Sequence, residues 1–422
     1  MFYPNCYPDF IGNFYYFISN DEKVHMQMVE IVHNYTLNKA LYYGKVLISN
    51  NTFENNYVHY DTNSLIFQHS VIQHYLFCDV SRHGVITYGG HFCRPLDWIV
   101  KTPIKPMSNH SLKTYDRVVV GFCYHWQFGH VVQDMIGGII SLPSEITQNS
   151  EIFIRTNKNI ARQFMQVLGF NPKRVHALKE TYVFVKDLYI VVASYPVSSL
   201  QVSFRDIHDI IYRINNLSEI IPTLHVFLNK KQNNWGCVTN MDELFNFTVT
   251  FFSQYKWTYL PYDFPMNISN AMKLFSRTKI FVSAAGSPSF NAIFMHSNSG
   301  ILLIDSKICN SPCIAIMHTL DIWMYYIASE HINRFSTKGG ILEPEIFSKT
   351  LSFLLSAVYN GEWPNITIPS RPFINFDREA KKKIAFSGEN ANKTTRFRYS
   401  RNIENNSFTA GFPRMKDYLN PK

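Results

Sequence analysis

Hydrophobic and polar positions along the chain fall into two kinds of block. Short apolar runs that open into Gly, Ser or Asn read as buried strands, and longer stretches with apolar residues three and four apart read as helices. The clearest case is 280–305. There Ile-Phe-Val-Ser (280–283) predicts a strand, Ala-Ala-Gly-Ser (284–287) a tight loop, Pro288 the first turn of a helix, and Ile-Leu-Leu-Ile (301–304) a second strand. Upstream, the same reading gives a strand within 40–49, several strands over 64–99, a strand at 117–122 and a helix at 128–140. A strand at 151–155 and a helix at 160–168 follow, the helix closed by Gly169 at the position that favours left-handed backbone. A strand pair (182–185 and 188–193) and a helix at 204–215 complete this half. The next half reads as strand 225–229, helix 241–246, strands 248–252 and 258–260, and helix 269–275, feeding 280–305. After it come a helix over 314–328 and an amphipathic helix over 343–360, apolar at Ile346, Leu351, Leu354, Leu355 and Val358.

Strands and helices alternating at this spacing predict an α/β fold with parallel sheets, arranged as two Rossmann-like domains facing a cleft. The expected division is an N-terminal extension (1–60), a first Rossmann-like domain (61–215) and a second, nucleotide-binding domain (216–345). A C-terminal helix (346–370) and a basic tail (371–422) follow. Composition agrees with a globular chain: 46% of residues are hydrophobic and 17% charged. The net charge of +9 points to nucleic acid until it is located. Residues 371–422 hold twelve Lys or Arg against five Asp or Glu, so the excess sits in the tail and the body is nearly neutral. No aromatic-basic pattern of an RNA-binding sheet accompanies it.

Seven cysteines without Cys-x-x-Cys spacing give no support for a zinc ribbon or a redox motif, and Cys309 and Cys313 are close enough for a local disulfide or simple burial. Asn-x-Ser/Thr occurs at Asn34, Asn50, Asn109, Asn216, Asn246, Asn267, Asn365, Asn392 and Asn405, which leans toward a lumenal protein. The first residues carry neither a basic n-region nor an apolar h-region, so the sequence is expected to be cytoplasmic if complete, or to lack its leader. No run approaches the roughly 20 apolar residues of a membrane helix.

Two places carry candidate chemistry. In the helix at 128–140, His130 and Asp134 stand at i and i+4, on one face, where a carboxylate can fix the imidazole tautomer and raise its basicity. That pairing makes a general base, and it is also a common structural arrangement. In the 284–291 turn, small residues let a ligand approach the backbone, and a helix start offers N–H groups to a phosphate.

Four segments, Phe-Gly-His-Val-Val-Gln-Asp (128–134), Val-Leu-Gly-Phe-Asn-Pro-Lys-Arg-Val (167–175), Thr-Asn-Met-Asp-Glu-Leu (239–244) and Gly-Ser-Pro-Ser-Phe-Asn-Ala-Ile-Phe-Met (286–295), stand in an order that resembles the catalytic domain of glycosyltransferase family 61. The resemblance spans about 80–327. It implies a GT-B-like pair of domains and inverting transfer of a sugar from a nucleotide-sugar, UDP-linked, to a hydroxyl of a glycan or glycoprotein. It implies no cofactor and no bound metal, and a Golgi or endoplasmic reticulum lumen. By the same resemblance His130 and Asp134 are catalytic, while Lys230, Lys231, Asn240, Glu243, Gly286, Ser287, Ser289 and Asn291 bind the donor. The chain departs from the family where Ala285 replaces a histidine and where neutral residues around Asn229 and Trp235 replace arginines, with Lys230 and Lys231 as substitute charges. Those departures leave a second expectation, a catalytically inactive relative that binds glycans or acts as a scaffold.

Overall fold

The computed structural model describes residues 10–18, 25–36, 46–48, 65–86, 92–93, 113–121, 127–140, 142, 144–155, 158–192, 197–306, 311–329, 331–333 and 336–364. His125, Trp126, Cys309 and the basic tail lie outside them.

The strands in chain order are β1 (Phe10–Ile18), β2 (His25–Thr36), β3 (Val46–Ile48), β4 (Leu65–Ser81), β5 (Gly84–Ile86), β6 (Phe92–Cys93), β7 (Thr114–Gly121), β8 (Glu151–Ile154), β9 (Val175–Ala177) and β10 (Val183–Val192). They continue as β11 (Leu224–Leu228), β12 (Trp257–Leu260), β13 (Thr278–Ala284), β14 (Gly300–Ser306) and β15 (Trp323–Ser329). Two sheets result. The first has the order β1-β2-β4-β10-β7-β8-β9, parallel from β10 to β9 and antiparallel on the β4 side, with β5 and β6 hanging from β4. The second, β12-β11-β13-β14-β15-β3, is parallel throughout, and β3 joins it from far upstream.

Parallel sheets bury both faces under crossover helices, and the second sheet shows this residue by residue. Along β13 and β14, Phe281, Ile301 and Leu303 enter one core, while Ile280, Val282, Leu302 and Ile304 enter another on the opposite face. The helices are α1 (Phe128–His130), α2 (Gly137–Ile140), α3 (Ser144–Thr147), α4 (Lys158–Val167), α5 (Val197–Asn215), α6 (Met241–Phe251), α7 (Ile268–Phe275), α8 (Ser311–Thr319) and α9 (Pro344–Asn360). The first core reaches into both halves. Phe128 and Phe294 both pack on Phe164, and Phe204 stands edge-on to Phe290, so helices following strands of either sheet share one buried layer.

Gly169 ends α4 as expected: its φ is +84°, its N–H reaches Gln166 O (2.9 Å) and Phe170 N–H reaches Met165 O (2.9 Å), the paired bonds of a Schellman cap. Four expectations are corrected. The 248–252 strand is instead the last turn of α6. Met241, Leu244 and Thr248 are buried at helical spacing, Thr248 Oγ1 bonds Leu244 O (2.7 Å), and Val249 and Phe251 stay exposed, so helical periodicity overrides the β-branched composition. The pair 182–185 and 188–193 is the single strand β10. Its charged centre is tolerated because Asp187 accepts from Arg117 Nε on β7 and bonds His74 Nε2 on β4, each at 2.5 Å. The helix over 314–328 breaks at Asp321 (φ +57°), after which the aromatic run Trp323–Ser329 pairs with β14. In α9, Ile346 is exposed and Phe347 takes the buried position.

Candidate functional site

The 128–140 helix is continuous in direction but not in type: residues Val131–Ile136 wind as a π-helix between α1 and α2. Such wide turns recur at functional positions. Val131 to Ile136 are all buried, which pins the wide turn from every side. Glycines let this helix sit close to its neighbours. A Cβ on Gly137 would stand 3.1 Å from Ser203 Cβ of α5, and one on Gly129 would stand 3.0 Å from the Phe290 ring. The predicted pair is formed: His130 Nδ1 lies 2.9 Å from Asp134 Oδ2, with the imidazole about one third exposed and the carboxylate buried. A buried carboxylate against one ring nitrogen selects the tautomer that leaves Nε2 as the basic nitrogen.

The loop after β13 is held by the backbone. Gly286 has φ +102° and ψ −147°, a conformation that L side chains rarely adopt. The helix expected at Pro288 is a 3₁₀ helix, Ser287–Phe294. This tighter winding uses the Ser289 N–H on Gly286 O (3.0 Å), and Pro288 has none, so the turn offers fewer backbone donors than an α-helix start. Ser289 and Asn291 are fully buried. The Ser289 hydroxyl donates to Gly286 O (2.7 Å) and its oxygen sits 2.9 Å from Cys313 Sγ, while Asn291 Nδ2 donates to Pro288 O (2.8 Å). Both side chains therefore brace the turn from behind. Cys313 is a buried thiol in this bracing.

Ser287 is the contact between the two places that the sequence singled out. The Gly129 N–H points at Ser287 Oγ, 3.4 Å away, so the His130 helix and the Gly286 loop adjoin. On the other side, the side-chain end of Lys230 lies over the loop: Cε and Nζ would both be 3.4 Å from a Cβ on Gly286. Lys230 follows β11, the neighbour of β13, and carboxyl ends of adjacent parallel strands are where such sheets take ligands. Lys231 is turned outward, its ammonium 5.6 Å from the centre of the Tyr262 ring. Asn240 and Glu243 stand at the start of α6. Asn240 Nδ2 donates to Leu342 O (2.9 Å) and to Glu243 Oε2 (3.2 Å), and Leu342 N–H donates to Asn240 Oδ1 (3.1 Å). The amide thus ties α6 to the chain entering α9.

The sequence reading gave two residues of this region no structural role. Phe290 is the floor on which Gly129 rests, and nothing but the position of an aromatic inside the 3₁₀ turn could have indicated it. Asn229, the polar residue just after β11, is buried and bonded to Lys230 and Val238, the two ends of the loop that follows it. Further from the loop, burial pushes the His208 imidazole down to about 4, with its Nδ1 2.9 Å from Ile293 O at the far end of the 3₁₀ helix. Among the described residues, no group of three or more His, Cys, Asp or Glu stands close enough to hold a metal ion, and no helix is long and apolar enough to cross a membrane.

The family model described as Glycosyltransferase 61 matches residues 128–302, so this segment is a glycosyltransferase family 61 region, of a class that joins a sugar donor to a glycan acceptor. The matched segment begins at Phe128, two residues before His130, and runs through the Gly286 loop into β14. No curated protein matches the chain.

Proposed function

We propose that the protein is an inverting glycosyltransferase that transfers a sugar from a nucleotide-sugar, UDP-linked, to a hydroxyl of a glycan or glycoprotein, without an obligatory metal. The contact between Gly129 and Ser287 carries this reading, because it sets a general base beside a loop suited to a diphosphate. His130 Nε2 takes the proton of the acceptor hydroxyl. The acceptor oxygen then forms its bond to the anomeric carbon on the face opposite the leaving group. The bond from that carbon to the diphosphate oxygen breaks, and the electron pair leaves with the diphosphate. Asp134 holds the imidazole and stabilises the imidazolium. Lys230, the Ser287 hydroxyl and the backbone of Gly286 meet the departing charge. Ser289, Asn291 and Asn240 keep the loop and α6 in place behind them.

The two sheets correspond, in this proposal, to the acceptor side and the donor side of a GT-B pair divided near 205–222. The compartment is the lumen of the Golgi or endoplasmic reticulum, supported by the exposure of Asn216, Asn246 and Asn267. The experiment is a thermal-stability scan against a panel of nucleotide-sugars, followed by turnover of His130→Ala with the donor that scores. A UDP-sugar raises the melting temperature, and the variant loses transfer while keeping that donor-induced rise. Unchanged turnover in the variant removes His130 from the reaction, and a scan without any response supports an inactive relative instead.

A further inference from the structure

Lys230 stands where the sequence offers a cation in place of the family's arginines, and a lysine is a flexible point charge that must be held to be of use. The structure shows what holds it. Asn229 is buried at the end of β11 and closes the loop behind it with one side chain: Oδ1 accepts from Lys230 N (2.8 Å) and Val238 N (3.3 Å), and Nδ2 donates to Val238 O (2.6 Å). The loop so closed runs through two left-handed residues, Asn233 (φ +64°) and Gly236 (φ +65°), which turn the Trp235 carbonyl back toward the strand end. Lys230 Nζ donates to that carbonyl at 3.0 Å. The same side-chain end is 3.4 Å from the Cβ position that Gly286 leaves empty.

We infer that Asn229 is a positioning residue of the donor site: it shapes the 230–238 loop so that the Trp235 carbonyl parks the Lys230 ammonium over Gly286, where it meets a diphosphate. This deepens the proposed reaction and rests on it. Asn229 is not expected to touch the donor. Its effect on donor affinity passes through Lys230, and a double-mutant cycle reads that dependence.

The test measures UDP affinity by calorimetry for the wild type, Lys230→Met, Asn229→Ala and the double variant, with thermal melts alongside. The expected result is about a tenfold loss of affinity for Lys230→Met, the scale of one charge-assisted bond, and a smaller loss for Asn229→Ala. In the double variant the loss equals that of Lys230→Met, while the falls in melting temperature still add. If Asn229→Ala does not melt cooperatively, Asn229→Asp takes its place, keeping the acceptor for Lys230 N–H and losing the donor to Val238 O. Losses that add in the double variant, or unchanged affinity in the Asn229 variants, overturn the inference while leaving the proposed reaction standing. Unchanged affinity in Lys230→Met, or no UDP binding by the wild type, overturns the place of Lys230 in the proposed reaction and the inference with it.

Discussion

The Gly129 N–H lies 3.4 Å from Ser287 Oγ, across the junction between the helix that carries His130 and the loop that carries Gly286. The two residues are 158 positions apart in the chain. Adding a methyl group at Gly129 drives it into the Phe290 ring. Gly129→Ala is therefore expected to lose about 1–3 kcal/mol of stability, the usual cost of overpacking, and to lower turnover by displacing the loop from the base. Urea melts and initial rates check both; a variant with wild-type stability would show that the ring yields freely.

Asp134→Asn keeps the shape of the site but replaces an acceptor-only carboxylate with an amide that can present a donor to His130 Nδ1. The imidazole then loses the tautomer that leaves Nε2 basic. The expected outcome is a fall in kcat of about 10²–10⁴ with little change in donor KM. A matching rise in KM would place Asp134 in donor binding instead.

Asn240 spends its amide on the backbone of Leu342, with donor and acceptor both engaged. Asn240→Ala removes three side-chain hydrogen bonds, one to Glu243 and two to Leu342, and leaves both Leu342 groups without those partners, at a cost of about 1–3 kcal/mol. Nucleotide affinity is expected to hold. Calorimetric titration of the folded variant with UDP decides between this and a direct donor contact.

Stability is expected to fall on mild acidification through two histidines that burial holds neutral. His208 and His225 are both pushed down to about 4, His208 by burial and His225 by burial and then by the charge of Lys279. His225 Nε2 is 2.7 Å from Tyr359 Oη, and its Nδ1 is buried without a hydrogen-bond partner, so a proton there adds a donor with no acceptor. Because the folded-state values lie below the unfolded one, near 6.5, the unfolded state binds protons first. Their contribution is complete above about pH 6.5 and is lost as the pH falls toward 4. Chemical denaturation at pH 7 and pH 5 measures the loss, and His225→Phe is expected to flatten part of the slope.

The local pattern determined much of this protein. The spacing of His130 and Asp134 foretold their contact because four residues along a helical ridge return a side chain to the same face, and the π-turn between them does not undo it. Buried runs such as 280–283 and 301–304 foretold parallel strands because both faces of such a strand must be apolar. Gly169 foretold the end of α4 through its left-handed backbone. Other features are invisible to local pattern. Thr-Val-Thr-Phe has the composition of a strand, and only the burial of Met241, Leu244 and Thr248 against the sheet made it helix. The Lys186-Asp187 step has the composition of a turn, and only His74 and Arg117 on neighbouring strands keep the charge inside the sheet. Ser289, Asn291 and Asn240 have the composition of ligand contacts, and tertiary packing committed their polar atoms to backbone groups nearby. The sequence determined which chemical groups exist and the ridge or strand on which each sits. The tertiary structure decided which of them spend their hydrogen bonds on the fold and which stand beside the Gly286 loop, because burial and distant partners such as Leu342 for Asn240 and Ser287 for Gly129 set that choice.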